Sequence, residues 1–215
     1  MEMFHLLFNH FGPQKWWPGD TALEMMVGAV LTQNTNWKNV EKAVANLKRG
    51  DLLSLGALHR FSAAALAEEI RPAGYYNIKA KRLKNLVAFI VDRHGPDLTR
   101  FLSEEPRALR KGLLSISGIG PETADSILLY AAHLPVFAID TYTYRILVRH
   151  GMCEEEANYD QLQTLFMDHL PDDPALFNEF HALIVRTGKA YCKKKPSCQS
   201  CPLRAWGPLP SPNCS

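Results

Sequence analysis

The chain has 215 residues, is 47% hydrophobic, and carries 24 Lys and Arg against 22 Asp and Glu, for a net charge of +2. This suits ~1 to 2 domains with a buried core and excludes a disordered or supercharged tail protein, although a local basic stripe could still bind nucleic acid. No apolar stretch reaches the ~18 residues of a membrane span, and Met1-Glu2-Met3-Phe4-His5 lacks a basic leader, so the expectation is a soluble, cytoplasmic protein that is not secreted and contacts no membrane.

In chain order, residues 22–32 are more uniformly apolar than the segments that follow and predict a buried helix. Val40, Ala43, Val44 and Leu47 follow the i, i+3, i+4, i+7 spacing of an amphipathic helix. Leu83, Leu86, Val87, Ile90 and Val91 repeat it, and Leu162, Leu165, Phe166 and His169 do so less cleanly. Breakers separate these segments at Gly50, Pro72 with Gly74, Gly95-Pro96, Gly118 to Pro121, Pro135, Gly151, and Pro171 to Pro174. No alternating β-branched run stands out. The pattern predicts an all-α protein of about nine or ten helices, each ~8 to 18 residues long.

Residues 113–132 place Gly118-Ile119-Gly120 between two apolar segments, with Pro121 suited to the first turn of a new helix. Glycines permit a sharp turn, and a helix start offers free N–H groups with a partial positive charge. This reads either as an ordinary helix–helix turn or as an anion cradle for a DNA phosphate; Ala124, Ile127 and Leu128 on one face favour a helix–hairpin–helix element. Downstream, Val136-Phe137-Ala138-Ile139 ends in Asp140, just before a helix beginning Thr141-Tyr142-Thr143. Asp140 is either a plain N-cap or a carboxylate held at a cleft, able to stabilise an oxocarbenium-like sugar and steer water.

Cys153 stands alone, whereas Cys192, Cys198, Cys201 and Cys214 fall in the last 24 residues with gaps of five, two and twelve. A disulfide framework would spread through the chain, so the tail reads as a metal site for an iron–sulfur cluster or zinc. Lys193, Lys194 and Lys195 lie between the first two cysteines, and Arg186 and Lys189 extend the basic stretch. Such a run is a solvated face or, in a fixed loop, a phosphate contact. Trp16-Trp17-Pro18 and Trp37 either anchor an N-terminal strap or form an aromatic pocket, where stacking is worth ~1 to 3 kcal/mol per base and a cationic base gains more.

Five pieces occur in a specific order: Leu31-Thr32-Gln33-Asn34-Thr35, Ile70-Arg71-Pro72-Ala73-Gly74-Tyr75 before Lys79-Ala80, the Gly118-Ile119-Gly120 hairpin, Ile139-Asp140, and the cysteine tail. Over residues 15–203 the chain thereby resembles the endonuclease III superfamily of helix–hairpin–helix DNA glycosylases. The resemblance implies two helical lobes, residues 25–135 and residues 1–24 with 136–191, followed by a four-cysteine cluster loop at 192–214. It implies duplex DNA with a damaged, flipped base as partner, and a monomer. Asp140 matches the essential aspartate. Asn34, or Gln33 beside it, matches the polar residue that fills the gap left in the duplex, and Gly118, Gly120 and Lys193 to Lys195 complete the expected DNA contacts. The cysteines match a [4Fe–4S] site, with zinc or an empty site as alternatives.

The lyase lysine of bifunctional members is matched here by Glu122, which cannot form a Schiff base; Lys111 lies before the hairpin. The expectation is therefore a monofunctional enzyme. The Trp-Trp-Pro start, Trp37 and Glu122 resemble the 3-methyladenine DNA glycosylase branch, which implies alkylated purines. The alternatives are a bifunctional glycosylase and lyase for oxidised pyrimidines, and a non-catalytic DNA-binding module.

Overall fold

Helix starts in this chain are written as polar caps. The side chains of Thr21, Asn36, Ser54, Ser62, Asp97, Glu105, Asp140, Asn158 and Asp173 each accept a hydrogen bond from a backbone N–H in the first turn that follows. Asn158 and Gln161 close a reciprocal capping box. A computed structural model describes residues 1–14, 16 and 19–207. Among these residues the helices are α1 (Glu2–Phe11), α2 (Ala22–Leu31), α3 (Trp37–Arg49), α4 (Leu55–Arg60), α5 (Ala63–Glu69) and α6 (Tyr76–His94). They continue with α7 (Leu98–Leu102), α8 (Pro106–Leu114), α9 (Pro121–Tyr130), α10 (Thr141–Arg149), α11 (Tyr159–Met167) and α12 (Pro174–Ala190). Short 3-10 turns occupy Arg71–Ala73 and Cys198–Ser200.

The all-α expectation holds, but twelve helices among the described residues replace nine or ten. α4, α5 and α7 have six, seven and five residues, too few to repeat a 3.6-residue period visibly. The pattern at 162–169 also overshoots. α11 ends at Met167, Leu165 is exposed, and His169 lies beyond the helix.

The chain forms two compact units, Met1–Trp16 with Pro135–Ser215, and Trp17–Leu134. In the continuous unit, α2 buries Met26, Val27, Ala29, Val30 and Leu31, and α3, α6 and α9 pack on it. α3 contributes Val40, Ala43, Val44 and Leu47, and α6 contributes Leu83, Leu86, Val87 and Ile90, as their spacing predicts. Lys79 is the exception on α6. It is 1% exposed, and its Nζ donates to the carbonyls of Leu31 (2.9 Å) and Ala73 (2.8 Å). Burial, helped by the nearby Arg82 charge, lowers its pKa to about 8. Between about pH 8 and 10.5 the unfolded chain keeps a proton on Lys79 that the folded chain has lost, so this group adds stability as pH rises. Lys79→Met removes the amine and leaves both carbonyls without this donor. It is expected to lower the urea midpoint at neutral pH, and its deficit from wild type should widen once pH passes about 8.

α8 and α9 flank the hairpin and are tied together by an ion pair between a half-buried arginine and a buried carboxylate. Arg110 Nε and Nη2 donate to Asp125 Oδ1 and Oδ2 at 2.7 and 3.0 Å, and Asp125 is fully buried. Asp125→Ala removes the carboxylate partner of a half-buried guanidinium, and a loss of about 1.5 to 3 kcal/mol in equilibrium unfolding is expected.

In the discontinuous unit, α1 and α10 both pack on α12. The core is aromatic: the Phe137 and Phe166 rings stack at 3.9 Å, and Phe177 and Phe180 meet Phe137 edge-on. Gly188 lets α10 approach α12, since a Cβ there would lie 2.2 Å from the Tyr142 ring.

Candidate active site

The hairpin lies in the continuous unit, and its two glycines do different work. Gly118 has φ 96°, and a Cβ there would stand 2.4 Å from Arg82 Cγ. Both the backbone conformation and the neighbour demand glycine. Gly120 has an ordinary φ of −93°, and nothing lies within 4 Å of where its Cβ would be. The expectation that both glycines serve the turn is thus corrected. Gly120 is the N-cap of the ten-residue α9, with no side-chain cap and Pro121 following. The helix start therefore opens onto unobstructed space, the arrangement that admits an anion.

Side chains from outside the hairpin hold its turn. Asn85 Nδ2 donates to Ser117 O (3.0 Å), and Gln33 Nε2 donates to Gly118 O (3.1 Å) and Thr123 Oγ1 (2.9 Å). Arg82 Nη1 donates in turn to Gln33 Oε1. Gln33 is half-buried, whereas Asn34 is exposed with φ 53°. Glu122 is exposed in the first turn of α9, and Lys111 is exposed on α8.

Asp140 belongs to the discontinuous unit and is the helix cap that the sequence allows. Its Oδ1 caps α10, accepting from Thr143 N (2.7 Å) and Thr143 Oγ1 (2.8 Å). Its Oδ2 lies 3.7 Å from His181 Nε2, with the Asp140 side chain 10% exposed. Burial holds His181 below its usual pKa, Lys189 pushes the same way, and Asp140 opposes them. Burial also lowers the Lys189 ammonium, again against Asp140. Lys189 Nζ sits 5.4 Å from the centre of the Trp16 ring, and the buried Trp16 Nε1 has no hydrogen-bond partner among the described residues. Sequence reasoning named Lys189 only as part of a basic stretch and missed His181. The available signal was their eight-residue spacing on one helix that ends near the cysteines.

Trp37 opens α3 and is half-buried, lining a pocket of about 200 Å³ with Gly19, Glu24, Glu41, Val44 and Lys48. Trp37 and Trp16 belong to different units, and Trp17 and Pro18 lie outside the described residues.

Cys192, Cys198 and Cys201 line a common small cavity of about 20 Å³ with Arg149, His150 and Leu203. Arg149 Nη1 donates to Cys192 Sγ (3.2 Å) and Lys193 O (2.6 Å), and its Nη2 to Lys194 O (3.3 Å). Lys193, Lys194 and Lys195 are exposed. Among the described residues no three potential ligands are grouped closely enough to hold a metal ion, and Cys214 lies outside them. The expected four-cysteine cluster loop is therefore not formed by the described cysteines. Cys192, Cys198 and Cys201 do share one cavity, and thiols are the ligand type that an iron–sulfur group takes. Cys153 stands apart, its thiol pKa raised by burial and by Glu154. No helix among the described residues is long and apolar enough to cross a membrane.

An all-α chain with a glycine hairpin and a helix-capping aspartate after it has the fold of helix–hairpin–helix DNA glycosylases. A non-covalent endonuclease III–DNA complex superposes with a TM-score of 0.81 over 95% of this chain and 91% of that one, at 22% identity. The family model for HhH-GPD superfamily base excision DNA repair proteins matches residues 27–172, and the chain belongs to that family. A candidate DNA repair glycosylase of Methanocaldococcus jannaschii is 46% identical over 204 residues, covering 94% of this chain and 93% of its own. The H. pylori 3-methyladenine DNA glycosylase MagIII, solved with 1,N6-ethenoadenine, is 32% identical with a TM-score of 0.73, covering 87% of this chain and 97% of its own.

Proposed function

We propose that the protein is a monofunctional DNA glycosylase that hydrolyses the N-glycosidic bond of a flipped, alkylated purine such as 3-methyladenine. The observation that carries this reading is Asp140, whose Oδ1 is fixed by Thr143 while Oδ2 stays directed at His181. The similarity to MagIII supports the substrate class.

Alkylation places positive charge on the purine and weakens its bond to C1′. As that bond lengthens, charge develops on the sugar, and the Asp140 carboxylate stabilises it and orients a water towards C1′. The base leaves as a neutral purine with the electron pair, water adds its oxygen to C1′ and passes a proton to the Asp140 carboxylate, and an abasic site remains. His181, held neutral by burial, adds no competing positive charge beside the carboxylate. Trp16 offers an aromatic face for stacking. The open start of α9 at Gly120 binds a backbone phosphate, and Lys193 to Lys195 add salt-dependent affinity. Cys192, Cys198, Cys201 and Cys214 would hold a [4Fe–4S] cluster, whose contribution when bound is to fix the basic loop. The protein acts as a monomer on duplex DNA.

Purified protein incubated with alkylated duplex DNA is expected to release 3-methyladenine, with strand breaks appearing only after hot alkali. Breaks without alkali would overturn the monofunctional assignment, and no release of alkylpurines would overturn the substrate class. One observation favours the bifunctional alternative: Lys189 is an amine with a lowered pKa that interacts with Asp140. Borohydride trapping of a DNA adduct that vanishes in Lys189→Met would establish it.

A further inference from the structure

The Gln33 amide is engaged at both ends. Its oxygen accepts from Arg82, and its nitrogen donates to Gly118 O and Thr123 Oγ1. Those two acceptors stand on either side of Ile119 to Glu122, so a single side chain brackets the open start of α9. An amide can present either its oxygen or its nitrogen to a neighbour, and the Arg82 guanidinium, which only donates, and the Gly118 carbonyl, which only accepts, select the same orientation. Room for Arg82 comes from Gly118, where any Cβ would collide with the arginine stem. Asn34 follows directly in a left-handed conformation and is exposed.

We propose that Gln33 and Arg82 form a positioning pair that locks the Gln33-Asn34-Thr35 turn to the hairpin, setting the presentation of Asn34 and the phosphate grip together. Gln33 then does not enter the duplex, because its hydrogen-bonding groups are committed to the hairpin; Asn34 is the residue presented outward. This inference rests on the reading of the hairpin as a phosphate site.

The test measures binding of the full chain to a duplex containing a tetrahydrofuran abasic analogue, at several salt concentrations. Gln33→Met and Arg82→Met are each expected to weaken binding about tenfold, and the double variant no further than the weaker single, because Arg82 acts through Gln33. The slope of log Kd against log salt should stay at the wild-type value. Thr123→Val removes only a hydroxyl and covers the case in which Arg82→Met fails to fold; it should weaken binding alone and be silent on a Gln33→Met background. Additive losses, or no loss in either single variant, would overturn the pairing. A slope shallower by about one in Arg82→Met would make Arg82 a direct phosphate contact instead. Gly120→Asp tests the hairpin independently: wild-type binding there would sink the phosphate reading, while lost binding there with unaltered Gln33 and Arg82 variants would sink the pairing alone.

Discussion

Gly120→Asp is expected to weaken DNA binding by at least about a hundredfold while leaving the fold as stable as wild type or slightly more so. Two effects combine on the binding side. The new carboxylate repels the phosphate, and its bulk fills the space the phosphate would use. On the folding side the substitution is benign, since φ at this position is −93° and no atom lies within 4 Å of the new Cβ. Asp is also a better N-cap than Gly by a few tenths of a kcal/mol, and Gly120 caps α9 without a side chain. Thermal unfolding and duplex binding, measured on one preparation, should therefore move in opposite directions or only the second should move. A parallel loss of both would mean that Gly120 serves packing, and the anion-site reading would fail.

The second large effect is at Asp140. Asp140→Asn is expected to cut single-turnover base release by at least about a hundredfold with DNA affinity retained, because the amide carries no negative charge to offset that of the sugar. Asn remains an excellent cap, so Oδ1 can still accept from Thr143 N and Oγ1 and the unfolding midpoint should hold. Asp140→Ala should be equally inactive and also less stable by about 1 kcal/mol, through loss of that cap. The pair of variants thus separates the two roles of one side chain. An Asp140→Asn protein that releases bases as fast as wild type would leave the residue as a cap alone and place the catalysis on another group.

Much of this was legible in the residues. The α3 and α6 stripes lie where their periodicity puts them, and polar caps mark most helix starts. α4, α5 and α7 were not legible, because helices this short are held by their neighbours and caps instead of by a repeating face. The hairpin was readable as a motif, but the unequal roles of Gly118 and Gly120 depend on Arg82, thirty-odd residues earlier in the chain, and only packing reveals that contact. His181 likewise resembles any histidine on an apolar helix face until α12 is seen to bring it to Asp140. For the cysteines, spacing announces thiol ligands but not how the chain between them arranges the sulfurs.

The two units also differ in how the ribosome delivers them. The hairpin unit, Trp17–Leu134, is one uninterrupted stretch and can fold as soon as it emerges. The unit bearing Asp140 is assembled from both ends of the chain. α1 packs on α12, Gln14 N donates to Glu179 Oε1 at 2.6 Å, and His10 meets the Tyr191 hydroxyl at 3.0 Å. α1 must therefore wait, apolar face uncovered, for a partner synthesised more than 160 residues later. The carboxylate's surroundings are completed last, so a nascent chain completes the hairpin unit before the unit that bears Asp140.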